Sequence, residues 1–383
     1  MEFKNKFFFT VVIFLSVLFL FAGNRIASAN MDVFEDPYEM PFYSGVVREI
    51  LSQSSYAEDN DFGFWGNYIL FEAQITNGVR RGQEVSATQY LSPFYLENER
   101  EVAVGDRIIL VFDDFNGSYY FVNHIRLNYI TILSVIFFVL VILLGRQKGF
   151  NSIVALGFIC LAIFMVFIPA ILSGKNIYIT TIIICCFSIV STLFIVIGPN
   201  KKAVSAMLGC LGGVFLSGLL MLTMDAVLGL TGILDQETRS LLFLPTENPI
   251  NLRAIVFAGV IIGAVGAIMD VAMSIASALW EIRDAGGASN FGGIFKSGIN
   301  IGKDILGTML NTLILAYIGS SLSLILLITV HTTSLLELFN MEMIIVELLR
   351  ALVGSFGMFL TIPLTAGICG WLYNKDIFGG FLR

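Results

Sequence analysis

Between Ala254 and Thr312, polar side chains recur within an otherwise apolar stretch. Gly259, Gly263, Gly266, Asp270, Ser274, Ser277 and Glu281 follow one another at steps of three or four, which places all seven on one face of a helix. A carboxylate midway along an apolar helix costs roughly 2.5–3.5 kcal/mol to place in lipid, so Asp270 is expected to face other helices or a water-filled cavity. There it would suit reversible proton binding. Asn300, Asp304, Gly307, Thr308 and Asn311 repeat the pattern on the next apolar segment, with Lys303 beside them. If the two helices pack through these faces, a polar lane for a solute or an ion runs toward the membrane centre through Asp270, Ser274, Ser277, Glu281, Asn300, Lys303, Asp304 and Asn311. Buried polar groups that merely satisfy one another are the alternative. Gly259, Gly263 and Gly266 would let a neighbouring backbone approach closely.

The elements that must hold these residues follow from composition. Of 383 residues, 56% are hydrophobic and 13% charged, with a mean hydropathy of +0.84. One soluble core could not use so much apolar side chain, so the chain reads as an integral membrane protein. The fold class is a membrane all-α bundle of seven transmembrane helices, with an N-terminal signal peptide or anchor and a small exported mainly-β domain. Spans are expected at residues 127–144, 150–172, 177–198, 203–229, 254–279, 306–330 and 344–373, each near the length a bilayer requires. Glu347 and Arg350 should pair on the last span. Pro363, between Thr361 and Thr365, removes a backbone donor and should kink that helix, and Pro169 is a weaker version of the same signal.

Residues 1–29 place Lys4 and Lys6 ahead of an apolar run from Phe7 to Ala22 and close on Ala27-Ser28-Ala29, the order of a secretory signal. The run is long enough to stay as an anchor instead. From residue 30 to 125 the composition turns polar, and short β-type runs begin at Tyr43, Tyr68, Val85, Arg107 and Tyr119, with Asn116-Gly117 as a hairpin turn. A small barrel or sandwich is expected there. Residues 30–124 carry 16 Asp/Glu against 5 Lys/Arg, a charge of −11, so the rest of the chain carries −7 + 11 = +4. That acidity argues against nucleic acid as a partner. Arg146, Lys148, Lys201, Lys202, Arg283, Lys375 and Arg383 all fall on the same side of the spans, which makes that side and the C-terminus cytoplasmic and residues 30–125 extracytoplasmic.

The loop from Gly229 to Leu252, with Asp235, Glu237, Arg239 and Glu247, is long enough for a small cap. The loop from Ile282 to Ile305 has Gly286-Gly287 and Gly292-Gly293 as expected breaks. Cys160, Cys185, Cys186, Cys210 and Cys369 all lie in apolar runs, and none has metal-ligand spacing, so no metal or other cofactor is expected. Neither His124 nor His331 has neighbours suited to hydrolysis, and catalysis is not expected. No Gly-x-x-x-x-Gly-Lys-Ser/Thr occurs, so ATP-driven movement would need a separate ATPase subunit. Ala285-Gly286-Gly287 after Glu281 is only distantly similar to the Glu-Ala-Ala loop by which some permeases contact one.

Three strings of residues carry a family resemblance. They are Asp270-Val-Ala-Met-Ser274-Ile-Ala-Ser277-Ala-Leu-Trp-Glu281, then Ser297-Gly-Ile-Asn300-Ile-Gly-Lys303-Asp304-Ile-Leu-Gly307-Thr308-Met-Leu-Asn311-Thr312-Leu-Ile-Leu-Ala-Tyr317, then Gly354-Ser355 with Ile362-Pro363-Leu364-Thr365-Ala366. With them the chain resembles the YibE/F family of bacterial membrane proteins over nearly its whole length. The resemblance implies a bacterial multi-pass protein with an exported N-terminal region, and supplies no substrate. Lys303 stands where Arg is expected in many relatives, which keeps the charge but loses the bidentate fork. The expected function is therefore a transporter or permease component in the bacterial cell membrane, partnered by the bilayer and by a second copy or another membrane protein. The competing expectation is an envelope sensor or assembly factor whose β-domain binds a partner.

Overall fold

Alternating apolar residues in the first part of the chain close into a barrel. In the computed structural model, residues 2–28, 40–57, 65–91, 100–244, 249–287, 290–331 and 334–374 are described. Ala29, residues 30–39, Glu247, Lys375 and Arg383, on which some expectations rest, lie outside them. The chain divides into two compact units, Phe34–Leu140 and Met1–Val33 with Val141–Arg383.

The first unit contains β1 (Phe42–Ala57), β2 (Trp65–Ile75), β3 (Glu84–Leu91), β4 (Arg107–Asp113) and β5 (Ser118–His124). They form a closed barrel in the order β1-β2-β3-β5-β4. All pairs are antiparallel except β3 with β5, where Ala87 faces Tyr119 and Thr88 faces Tyr120. β1 can serve two neighbours because its register shifts between Val47 and Glu49 and between Ile50 and Ser52; Phe42–Val46 pairs with β4 and Gly45–Ala57 with β2. Such bulges bend a strand sharply enough to close a small barrel. Every second residue points inward, so Val47, Ile69, Phe71, Ala73, Ile75, Ala87, Leu91, Ile108, Leu110 and Tyr119 fill the interior. Buried Gln89 seals one side, donating to the Arg100 carbonyl at 3.0 Å and accepting from the Val102 N–H at 2.9 Å. The turn at Asn116-Gly117 is present, with Gly117 at φ 63° and Asp113 accepting from Phe115 N–H and Asn116 Nδ2.

Long apolar runs make the rest helical. In chain order these are α1 (Glu2–Ala27), α2 (Leu127–Ala162), α3 (Ile168–Leu172), α4 (Ile177–Val196), α5 (Lys201–Leu228), α6 (Gln236–Ser240), α7 (Leu252–Asp284), α8 (Phe291–Ser320), α9 (Leu322–His331), α10 (Leu335–Asn340) and α11 (Glu342–Asn374). Seven described stretches are long and apolar enough to cross a membrane: Phe8–Ala27, Leu127–Leu172, Ile177–Val196, Lys201–Leu228, Leu252–Asp284, Phe291–Ser320 and Glu342–Tyr373. The second of these holds both of the first two expected spans. Its 46 residues are more than twice a bilayer's requirement, and the chain breaks inside it at Arg146, which has φ 47° and ψ −127°. Tight approach after the break explains Gly149, where a Cβ would lie 2.2 Å from the Val141 carbonyl oxygen.

Four helices start where an asparagine caps them. Asn176, Asn200, Asn251 and Asn290 accept from the N–H groups of Ile179, Ala203, Ala254 and Gly293 at 3.2, 2.7, 3.2 and 2.7 Å. The last of these corrects an expectation. Gly292-Gly293 is the first turn of α8, not a break, and the sixth apolar helix begins at Phe291 instead of residue 306. Its polar residues all lie on one side and dilute the average hydropathy that would have marked it.

α5, α7 and α11 enclose the main core of the second unit, around Ile261, Ala264, Ile268, Ile275, Val353 and Met358. α11 runs unbroken through Pro363. The Thr361 hydroxyl donates to the Gly357 carbonyl at 2.8 Å, so it serves a different carbonyl from the Phe359 one that Pro363 leaves free. The loop before α7 is tied down by Glu342, whose carboxylate accepts from Thr231 N–H, Thr231 Oγ1 and Gly232 N–H at 2.7, 2.8 and 2.6 Å. α1 lies against α4, with Phe19 stacked on Phe187 at 4.2 Å between centroids and Phe8 edge-on to Phe194 at 5.5 Å.

Candidate functional site

Residues two apart on a helix point about 200° away from each other. On α7 this separates two faces cleanly: Ala264 and Ile268 are buried in the core, whereas Gly266 and Asp270 are exposed. Gly259, Gly263 and Glu281 are exposed with them, and Ser274 and Ser277 are half-buried. From Gly259 to Glu281 the stripe rises about 33 Å, roughly one hydrocarbon thickness.

α8 divides in the same way. Gly298 and Gly302 are buried against α11, where a Cβ would come within 2.6 Å of Ala366 Cβ and 2.2 Å of Ile362 Cγ2. Two residues on from each, Asn300 and Asp304 are exposed, as are Lys303, Gly307, Thr308 and Asn311. The expectation that α7 and α8 pack through their polar faces is therefore corrected. The glycines that allow α8 to dock lie opposite its amides, so docking turns the polar face outward. Contact with α7 is made instead by Leu279, 3.1 Å from where a Cβ on Gly298 would stand, and by Tyr317, whose hydroxyl would be 3.4 Å from a Cβ on Gly263.

Expected packing glycines shift for the same reason. Nothing lies within 4 Å of a Cβ placed on Gly266, and Gly259 and Gly263 meet only the far ends of Arg350 and Tyr317. Besides those of α8, close-packed glycines lie on α5 and α11. A Cβ on Gly209 would fall 2.0 Å from Thr365 Oγ1, one on Gly213 1.8 Å from Thr361 Oγ1, and one on Gly357 2.2 Å from Ser217 Oγ. Ser205, Ser217, Thr361, Thr365 and Cys369 are fully buried along this seam. Ser205 and Ser217 donate to carbonyls of their own helix, Lys201 at 2.8 Å and Gly213 at 3.0 Å. Small polar residues packed this tightly join helices; they leave no room for a solute. The four-residue spacing of Ser205, Gly209, Gly213 and Ser217 could have revealed the seam in the sequence.

One end of the α7 stripe meets charge from another helix. Glu347 and Arg350 pair at 2.8 Å, as expected. Arg350 Nη2 reaches within 3.9 Å of the Cβ position of Gly259, and Tyr317 Oη approaches the Cβ positions of Gly263 at 3.4 Å and Gly354 at 3.8 Å. Glu347 Oε2 and Arg350 Nε are buried without hydrogen-bond partners among the described residues. The stripe thus begins beside an acid, a guanidinium and a phenol, passes Asp270, and ends at Glu281. Tyr317 closes the second string that carries the family resemblance, but spacing alone gave it no place in the site. Beside the stripe, Ile262, Val265, Gly266 and Met269 face Ile159, Ile163, Ile184, Cys185 and Ser188 across a cavity of about 170 Å³.

A family model described as YibE/F-like protein matches residues 133–375. No curated protein and no solved structure matches the chain.

Proposed function

The chain belongs to the YibE/F-like family, and from that premise we propose a membrane permease component that moves a small solute or ion along the polar stripe of α7. The observation that carries this reading is Asp270, uncovered on a face of glycine and serine that runs about the depth of a bilayer. Leaving such a carboxylate against hydrocarbon costs several times thermal energy, so water or protein must cover it. A second copy of the chain, or a partner membrane protein, closes the lane over Gly259, Gly263 and Gly266, whose missing side chains leave the space. Glu347, Arg350 and Tyr317 stand at one mouth and Glu281 at the other. The polar face of α8, from Asn300 to Asn311, is exposed as well and needs cover of its own. The protein sits in the bacterial cell membrane, with the barrel outside and the C-terminus in the cytoplasm.

The test is ion or proton flux in vesicles reconstituted with the full chain. Asp270→Asn should abolish flux while leaving reconstitution efficiency unchanged. Wild-type flux in that variant would remove Asp270 from the path and with it the proposal.

A second reading is favoured by the outer surface of the barrel. Tyr68, Tyr90 and Tyr120 lie on neighbouring strands, with Tyr68 opposite Tyr90 in the register and the Tyr90 and Tyr120 rings stacked at 6.0 Å. One class of five-stranded Greek-key barrel binds its ligands on the strand 2–3 face, so a sensor or assembly role would place its partner there. Replacing all three by Ala should then abolish partner capture without changing flux.

A further inference from the structure

We infer that the first unit holds an anion site for the phosphate of an acidic phospholipid headgroup. The site is a cavity of about 500 Å³ bordered by Arg100, Asp106, Arg107, His124, Arg126 and Tyr129. Between residues 30 and 126 the chain has 16 Asp/Glu and only six Lys/Arg, at 48, 80, 81, 100, 107 and 126. Half of those cations line this one cavity, in a segment whose overall charge would repel an anion.

Their partners leave the cavity positive. Arg100 is committed to Asp106 at 2.6 Å, and Asp106 also accepts from the Ala103 N–H at 3.0 Å. Arg107 and Arg126 have no ion-pair partner among the described residues. His124 is buried, with Nε2 3.1 Å from the Arg100 carbonyl. Its Nδ1 lies 3.6 Å from Asp106 Oδ2, beyond hydrogen-bond reach, and is buried without a partner. α2 starts in the same wall: Asn128 and Tyr129 border the cavity, and N–H groups in the first turn of a helix have no intrahelical acceptor. Two unpaired guanidiniums beside a helix N-terminus supply the donors of a phosphate site, over a wall that the buried His124 backs.

A lipid fits better than free phosphate because of what leads away from the cavity. Leu127, Tyr129, Ile130, Ile132 and Leu133 are all exposed on α2, so acyl chains could lie along the helix while the headgroup is held by the arginines. The inference rests on reading this helix as membrane-spanning, and it is independent of any flux through α7.

The experiment uses the full chain in detergent, offered phosphatidylglycerol or phosphatidylcholine, with retained lipid counted by native mass spectrometry. Wild-type protein should retain phosphatidylglycerol preferentially. Because each surface arginine contributes roughly fivefold to acidic-lipid affinity, Arg107→Gln with Arg126→Gln should reduce that preference about thirtyfold. Arg107→Lys with Arg126→Lys should restore most of it, which separates lost charge from lost folding. Equal retention of the two lipids by wild type, or an unchanged preference in the glutamine variant, would overturn the site. In a parallel arm, inorganic phosphate alone is added and thermal stability followed. No shift is expected, and a shift in wild type that the glutamine variant lacks would overturn the lipid in favour of a free anion.

Discussion

Gly213→Ala should destabilise the helical unit, and Gly266→Ala should not. The methyl added at residue 213 would sit 1.8 Å from Thr361 Oγ1 and 3.2 Å from the Gly357 carbonyl oxygen. Ordinary contact needs about 3.5 Å, so one partner must retreat by about 1.7 Å. Thr361 cannot simply rotate away, because it is fully buried and bonded to that same carbonyl. Overpacking of this kind costs about 1–3 kcal/mol, of which the better helix propensity of Ala returns up to about 1 kcal/mol. With the full return the net loss is about 0–2 kcal/mol, and because Gly266→Ala takes the same return, the two variants differ by about 1–3 kcal/mol. At residue 266 the methyl meets nothing within 4 Å, so only the propensity gain remains. Thermal unfolding in detergent, followed by intrinsic fluorescence, separates the two. Adding Thr361→Ala to Gly213→Ala should recover part of the loss, since it removes the clashing oxygen. Equal melting temperatures for the Gly213→Ala and Gly266→Ala proteins would refute the assignment of packing glycines to the α5–α11 seam.

Other consequences are open to direct measurement. Asp270→Cys, in a background with Cys160 and Cys186 replaced by Ala, should react with a membrane-impermeant maleimide in vesicles if the stripe is hydrated; complete protection would point to lipid or a dry interface. Glu342→Ala removes three hydrogen bonds that fasten Thr231 and Gly232, and at this half-buried site should lower stability by about 1–3 kcal/mol in chemical denaturation. Gln89→Leu should cost about as much, because it orphans the buried Val102 N–H inside the barrel wall and leaves the Arg100 carbonyl to His124 alone; an unchanged unfolding midpoint would deny that sealing role.

The five strands were legible because alternation is strict where one face is buried: β3 buries Ala87, Gln89 and Leu91 and exposes Glu84, Ser86 and Tyr90. Closure into a barrel was not, since it depends on two register shifts in β1 that leave no mark in composition. Helix existence could be read from apolar runs, and the start of α8 could have been read from Asn290. The candidate site was half legible. Spacing correctly grouped Gly259, Gly263, Gly266 and Asp270 on one face. It could not tell which face docks, because glycine and serine serve equally at a tight helix contact and along a hydrated surface. That choice is made by neighbours far away in sequence, such as Thr361 against Gly213 and Ile362 against Gly302.

Because α11 presents Thr361 and Thr365 to α5 while Ile362 and Ala366 receive the glycines of α8, one helix late in the chain completes both joints. α5 and α8 are synthesised well before it and must wait in the bilayer with their docking surfaces bare. Assembly of this unit therefore ends with α11, the last described helix to be made, which closes the glycine faces of both α5 and α8.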